Sequence, residues 1–209
     1  MLYLSIQTET LQIKVWTIQE AETFFESALQ LDDPTLRGLH TLHPAARMGW
    51  LASRYLVADL TQTLPPPILK DGKKPYLSIP PHFVGISHTE QYAAVAIANK
   101  NIGIDVQMLD EKLYKVAPRF MNTAELEAVT DTHRLEYLAV MWSAKEALYK
   151  MYNNPAIDYR KELLIEPFQY NPQGGTCIGY IPLPNQTTYR VRFTYQLINQ
   201  NAVLVYGHE

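Results

Sequence analysis

Residues 133–152, HRLEYLAVMWSAKEALYKMY, are the stretch that any fold of this chain must accommodate. The spacing predicts one long helix from about His133 to Tyr152. Leu135, Leu138, Ala139, Val140, Trp142, Ala144, Ala147 and Leu148 make it apolar nearly all round. A helix of that kind is buried on most sides, so the chain must build layers around it. Lys145, Glu146 and Lys150 interrupt the apolar surface. At 100° per residue, Glu146 falls within about 20° of Leu135 and Ala139 and about 40° of Trp142. A carboxylate inside an apolar stripe is costly unless a cation meets it. Lys150 lies one turn along on nearly the same face. Two readings follow: a local Glu146–Lys150 pair, or a site where Glu146 shares a hard divalent ion with another carboxylate.

Asp105 is the other carboxylate. In NIGIDVQ, residues 101–107, Ile102, Ile104 and Val106 alternate with Gly103, Asp105 and Gln107. In a strand of period two, Asp105 and Gln107 project from one face, and Gly103 leaves room beside them. Mg²⁺ takes one or two carboxylates plus substrate phosphates rather than a full protein cage, so Asp105 and Glu146 suit it, with Lys150 on a phosphate. A strand-end aspartate that caps a turn is the plainer alternative.

Other elements set the class. Strands are expected at 11–17, 82–87, 92–99, 101–107, 162–168, 176–182, 189–197 and 202–207. Helices are expected at 19–30 and from Pro44 to about Thr61, with Pro44 in the first turn. Three consecutive prolines and an Asp-Gly pair make TLPPPILKDGKKP, residues 63–75, a loop. Helices and antiparallel-looking strands in mixed order give an α+β class. The joint falls near 99–101, dividing the chain into 1–100 and 101–209. Neither G-x-G-x-x-G nor a Walker pattern occurs, so any phosphate must be held by side chains, a metal or helix ends.

Ser87 and His88 end an apolar strand, where they either make local turn bonds or bind an anion. Arg47 and Arg54 on the second helix, with Lys70, Lys73 and Lys74 after it, form either a solubilising face or a phosphate-binding edge. The formal net charge of −3 argues against a nucleic-acid binder. A single cysteine, Cys177, excludes an internal disulfide and is expected to be a buried apolar residue. MLYLSIQTETLQIKVW lacks a signal-peptide pattern, and no stretch reaches the length of a membrane span. A cytoplasmic location is expected.

Taken in order, ARMGWLASRYLVADL, GKKPYL, GISHTEQYAAVAIA, NIGIDVQ and MWSAKEALYK resemble the two-domain 4′-phosphopantetheinyl transferase superfamily, of the type that activates surfactin synthetase. The pattern W-[ST]-x-K-E-[AS]-x-x-K is met by Trp142, Ser143, Lys145, Glu146, Ala147 and Lys150. The resemblance runs from about residue 40 to about residue 170. It implies two similar α+β halves packed as a pseudo-dimer, a monomer, and coenzyme A bound between the halves. It implies Mg²⁺ on Asp105, Glu146 and, more weakly, Gln107. It implies Lys150 on the coenzyme A phosphates, and Arg47, Lys73 or Lys74, Ser87 and His88 on the 3′-phosphoadenosine end. Glu125 falls where the family carries a glutamate proposed as general base, beside the catalytic Glu146 and Lys150.

The implied reaction moves 4′-phosphopantetheine from coenzyme A to a serine of an apo acyl or peptidyl carrier protein. Lys112, Lys115 and Arg119 are expected near the docking face of that acidic partner, or are solvated. The sequence departs from the family at Gln107, where glutamate is usual, at the doubled lysine of GKKP, and at NNPAIDY after the long helix. Two other readings stay open: a coenzyme A-binding module with weakened catalysis, and an unrelated metal-dependent phosphoesterase.

Overall fold

The computed structural model describes residues 1–71, 74–183 and 187–209. The chain divides into two compact units, Met1–Asn101 and Ile102–Glu209. Each is an antiparallel sheet with a long helix laid across it, so the α+β class holds.

In the first unit, β1 (Leu2–Gln7) and β2 (Leu11–Thr17) form a hairpin, followed by α1 (Glu22–Leu29), α2 (Asp33–His40) and α3 (Pro44–Thr61). The sheet closes with β3 (Ile68–Asp71), β4 (Lys74–Leu77), β5 (Phe83–His88) and β6 (Tyr92–Ala98), in the order β1-β2-β6-β5-β4-β3. Leu51, Ala52, Leu56 and Val57 on α3 pack with Val84, Ala93, Val95 and Ile97 of β5 and β6. Burying each large side chain contributes about 1.5–3 kcal/mol.

Two expectations fail here. The stretch between the two expected helices holds a further one, α2: the Asp32 side chain accepts from the Thr35 amide at 2.9 Å and caps it. The 63–75 stretch is not all loop, because β3 and β4 pair with each other and join the sheet edge through Tyr76 and Phe83. β4 lies between β3 and β5 but meets β5 only at Tyr76 and Phe83, so Pro75 interrupts little of a ladder on that side.

In the second unit, β7 (Ile102–Met108) leads to α4 (Lys112–Phe120), α5 (Thr123–Glu127) and α6 (Arg134–Tyr152), then β8 (Leu164–Ile165), β9 (Gly175–Ile181), β10 (Tyr189–Ile198) and β11 (Ala202–His208). The sheet order is β7-β11-β10-β9-β8. The all-round apolar helix is α6. Leu138, Val140, Met141, Ala144, Ala147 and Leu148 are all at most 1% exposed. The sheet covers one side, and α4 packs on α6 as well. Cys177 is buried on β9, and burial pushes its thiol up to about 12.

Candidate active site

Gly103 sets the approach of α6 to β7. A Cβ there would run into the Ala147 carbonyl oxygen and stand 2.8 Å from Met151 Cγ. Lacking one, β7 lets a turn of α6 lie directly on it. Asp105, two residues on, shares that face. It is 6% exposed and paired in register with Val205 of β11.

The close crossing brings Lys150 to Asp105. Its Nζ donates to Asp105 Oδ1 at 2.8 Å and to the Ile104 carbonyl at 3.0 Å. The lysine therefore binds across 45 residues of chain to the strand carboxylate, and the expected partner Glu146 takes only its field. Glu146 is half-buried. Desolvation holds its carboxyl above the ordinary range, the negative charge of Asp105 raises it further, and Lys150 pulls it back. The Tyr159 hydroxyl donates to Glu146, and its own pKa is raised by burial and by that carboxylate.

Asp105 and Glu146 thus feel each other electrostatically, with one ammonium between formal charges of −2. This donor set suits a hard cation. It offers carboxylate oxygens, carries a like-charge repulsion that a cation would relieve, and falls short of a complete cage. Among the described residues no group of three or more His, Cys, Asp or Glu could hold a metal alone. Such a set fits Mg²⁺, which fills its remaining positions with water and phosphate oxygens. Gln107 shares the face by strand period, but its Nε2 donates to the Met108 carbonyl at 3.0 Å.

Glu125, expected as a general base, is engaged in a buried network of its own. It is 3% exposed. Its Oε2 accepts from Lys145 Nζ at 2.7 Å and from the Asn122 amide at 2.9 Å, and its Oε1 accepts from the Ile165 amide at 2.9 Å. With the Asn122 side chain it completes a capping box for α5. Lys145, wholly buried, also donates to the Phe120 carbonyl at 2.6 Å and the Tyr159 carbonyl at 2.9 Å. Burial pulls its pKa down, and Glu125 partly restores it. The pair ties the end of α4, the start of α5 and the 158–162 loop to α6.

A cavity of about 520 Å³ opens at Glu146, walled by Phe120, Trp142 and Tyr159, with Val116 and Arg119 at its side. Phe120 meets Trp142 edge-on at 5.0 Å, and Trp142 stacks on Tyr159 at 5.9 Å. Sequence reasoning missed Phe120 and Tyr159 as site residues. Tyr159 lies in the NNPAIDY departure, where no periodicity marks it.

The residues expected at the 3′-phosphate are all in the first unit. Ser87 is 7% exposed, and the His88 ring lies on Gly49 of α3, where a Cβ would stand 2.6 Å from His88 Cε1. Arg47 forks onto Glu22, with Nε to Oε2 at 2.7 Å and Nη2 to Oε1 at 2.9 Å. Lys74 donates to Asn101 Oδ1 at 2.7 Å. Lys73 lies outside the described residues. No helix among the described residues is long and apolar enough to cross a membrane.

Residues 101–203 match the 4′-phosphopantetheinyl transferase superfamily. The chain is 31% identical over 81 residues to a 4′-phosphopantetheinyl transferase of Bacillus subtilis, covering 37% of this chain and 36% of that protein. It is 29% identical over 80 residues to one of Aneurinibacillus migulanus, covering 37% and 33%. The chain spans about a third of the length of the curated relatives it matches.

Proposed function

We propose, on the premise that this chain belongs through residues 101–203 to the 4′-phosphopantetheinyl transferase superfamily, that it moves the phosphopantetheine arm of coenzyme A onto a serine of an apo acyl or peptidyl carrier protein. The observation that carries this reading is the Asp105–Lys150 pair acting on Glu146, which lines a ring-walled cavity in the family-matched segment.

The serine oxygen attacks the phosphorus that carries pantetheine. The bond to the bridging pyrophosphate oxygen breaks, and 3′,5′-ADP leaves. Asp105 and Glu146 would hold Mg²⁺, which when bound supplies charge neutralisation on the pyrophosphate oxygens. Lys150 turns from Asp105 toward the phosphates and adds a second positive charge. Glu146 stands in the cavity wall, and its second carboxylate oxygen would accept the serine proton. Trp142, Phe120 and Tyr159 exclude water from the arm, and the fixed cavity positions the reactants. Ser87, His88 and Lys74 serve the 3′-phosphoadenosine end. Arg47 serves it only by exchanging Glu22 for the phosphate. The chain acts as a monomer in the cytoplasm.

Incubation with coenzyme A, Mg²⁺ and several apo carrier domains tests the reading. A mass gain of one phosphopantetheine unit on at least one carrier is expected. No gain on any of them rejects the reading, and coenzyme A binding without transfer would favour a non-catalytic module instead.

A further inference from the structure

Arg54 and Lys70 are singled out by sequence, yet neither belongs to the proposed transfer site. They line one cavity of about 400 Å³ in the first unit, with Thr35 as the third polar group. The guanidinium of Arg54 lies over the Trp50 ring, 4.4 Å from its centroid. Leu31, Ile68 and the 65–66 prolines supply apolar walls, and among the described residues no acidic one lines the space.

The chain's other buried-side cations show what Arg54 lacks. Arg47 forks onto Glu22, and Lys145 sits on Glu125. Among the described residues Arg54 has the Trp50 ring and no carboxylate. Burial alone brings its pKa down to about 10, with no acid near enough to offset it. Ring contact satisfies one face of a guanidinium and leaves its in-plane N–H donors open. Arg54 is half-buried and lines the cavity, and a carboxylate or phosphate fits that fork with two parallel bonds. Lys70 lines the same cavity as a second cation. Asp32 already engages both the amide and the side chain of Thr35, so the two cations are what the cavity offers an anion.

We propose that this cavity binds a small organic anion: one carboxylate or phosphate group held by Arg54 and Lys70, on a short apolar body lying against Leu31, Ile68 and the proline pair. The volume lies at the lower end of small-ligand sites, about 300–1,000 Å³. The inference rests on the first unit alone and stands whether or not transfer occurs.

The test follows the Arg54 Nε–H and Trp50 indole N–H signals of the ¹⁵N-labelled chain during titration with benzoate, phenyl phosphate and inorganic phosphate. Benzoate and phenyl phosphate separate the two head groups, and inorganic phosphate has the head without the body. Saturable movement with a Kd at or below about 1 mM for benzoate or phenyl phosphate is expected, and about tenfold weaker for inorganic phosphate. Lys70→Ala, at an exposed position, should weaken binding, and Arg54→Met should abolish the indole response while leaving the chain folded, since it strands no carboxylate. No saturation with any probe would overturn the assignment. So would an unchanged response in both variants, or displacement of bound benzoate by coenzyme A, which would make the cavity part of the co-substrate site.

Discussion

Lys145 and Glu146 are chain neighbours with opposite surroundings. Lys145 is sealed among the Phe120 and Tyr159 carbonyls and Glu125, whereas Glu146 opens on a cavity. Removing one partner of a buried pair leaves the other charge uncompensated. Lys145→Met is therefore expected to lower unfolding free energy by about 3–5 kcal/mol in urea titration. Adding Glu125→Leu should recover much of that loss. If Lys145→Met alone left the urea midpoint in place, the structural role of the pair would be wrong. Gln107 is the second residue-scale question. A neutral amide adds no charge to the Asp105–Glu146 set, so Gln107→Glu is expected to lower the Mg²⁺ concentration that half-saturates transfer. An unchanged requirement would mean that this position stays outside the ion's surroundings.

At the scale of elements, the crossing of α6 on β7 is set by one missing methyl group. Gly103→Ala would push on the Ala147 carbonyl, which is backbone and cannot rotate away. Overpacking of this kind costs about 1–3 kcal/mol. A fall in Tm together with a loss of transfer is expected, because Lys150 and Asp105 would be drawn apart. A drop in activity at unchanged Tm would point to another cause. The loop after α6 depends on Asp158, whose Oδ1 accepts from the Arg160 and Lys161 amides at 2.8 and 3.0 Å. Those bonds favour the ionised form and hold the carboxyl below the ordinary aspartate range. Its contribution is therefore fully present above about pH 4 and is lost as pH falls toward the depressed folded value. Amide exchange at Arg160 and Lys161 should quicken in acid, and Asp158→Asn should show that faster exchange already at neutral pH.

At the scale of the whole molecule, the α3 core and the α6 core share no residue. Leu51→Ala in the first is expected to cost about 2–5 kcal/mol. It should deprotect the amides of β5 and β6 before those of β9 to β11 in native-state hydrogen exchange, and simultaneous loss would mean a single cooperative core. Much of this architecture was legible in the sequence. The α6 pattern, the alternation of β7 and the Pro44 start of α3 are local signals, set by residue spacing and backbone preference. The paired strands Ile68–Asp71 and Lys74–Leu77 were hidden, because proline and Asp-Gly mark a loop unless a sheet is there to receive the strands beside them. The α6 and β7 motifs also identified Asp105, Glu146 and Lys150 as residue types suited to one chemistry. Their partners were beyond reach. That Lys150 meets Asp105, that Tyr159 donates to Glu146, and that Glu125 closes on Lys145 and the Ile165 amide depend on segments 13 to 45 residues apart. No periodicity encodes such a meeting; the packing of helix on sheet decides it, because burial leaves each polar group only the partners the fold brings within reach.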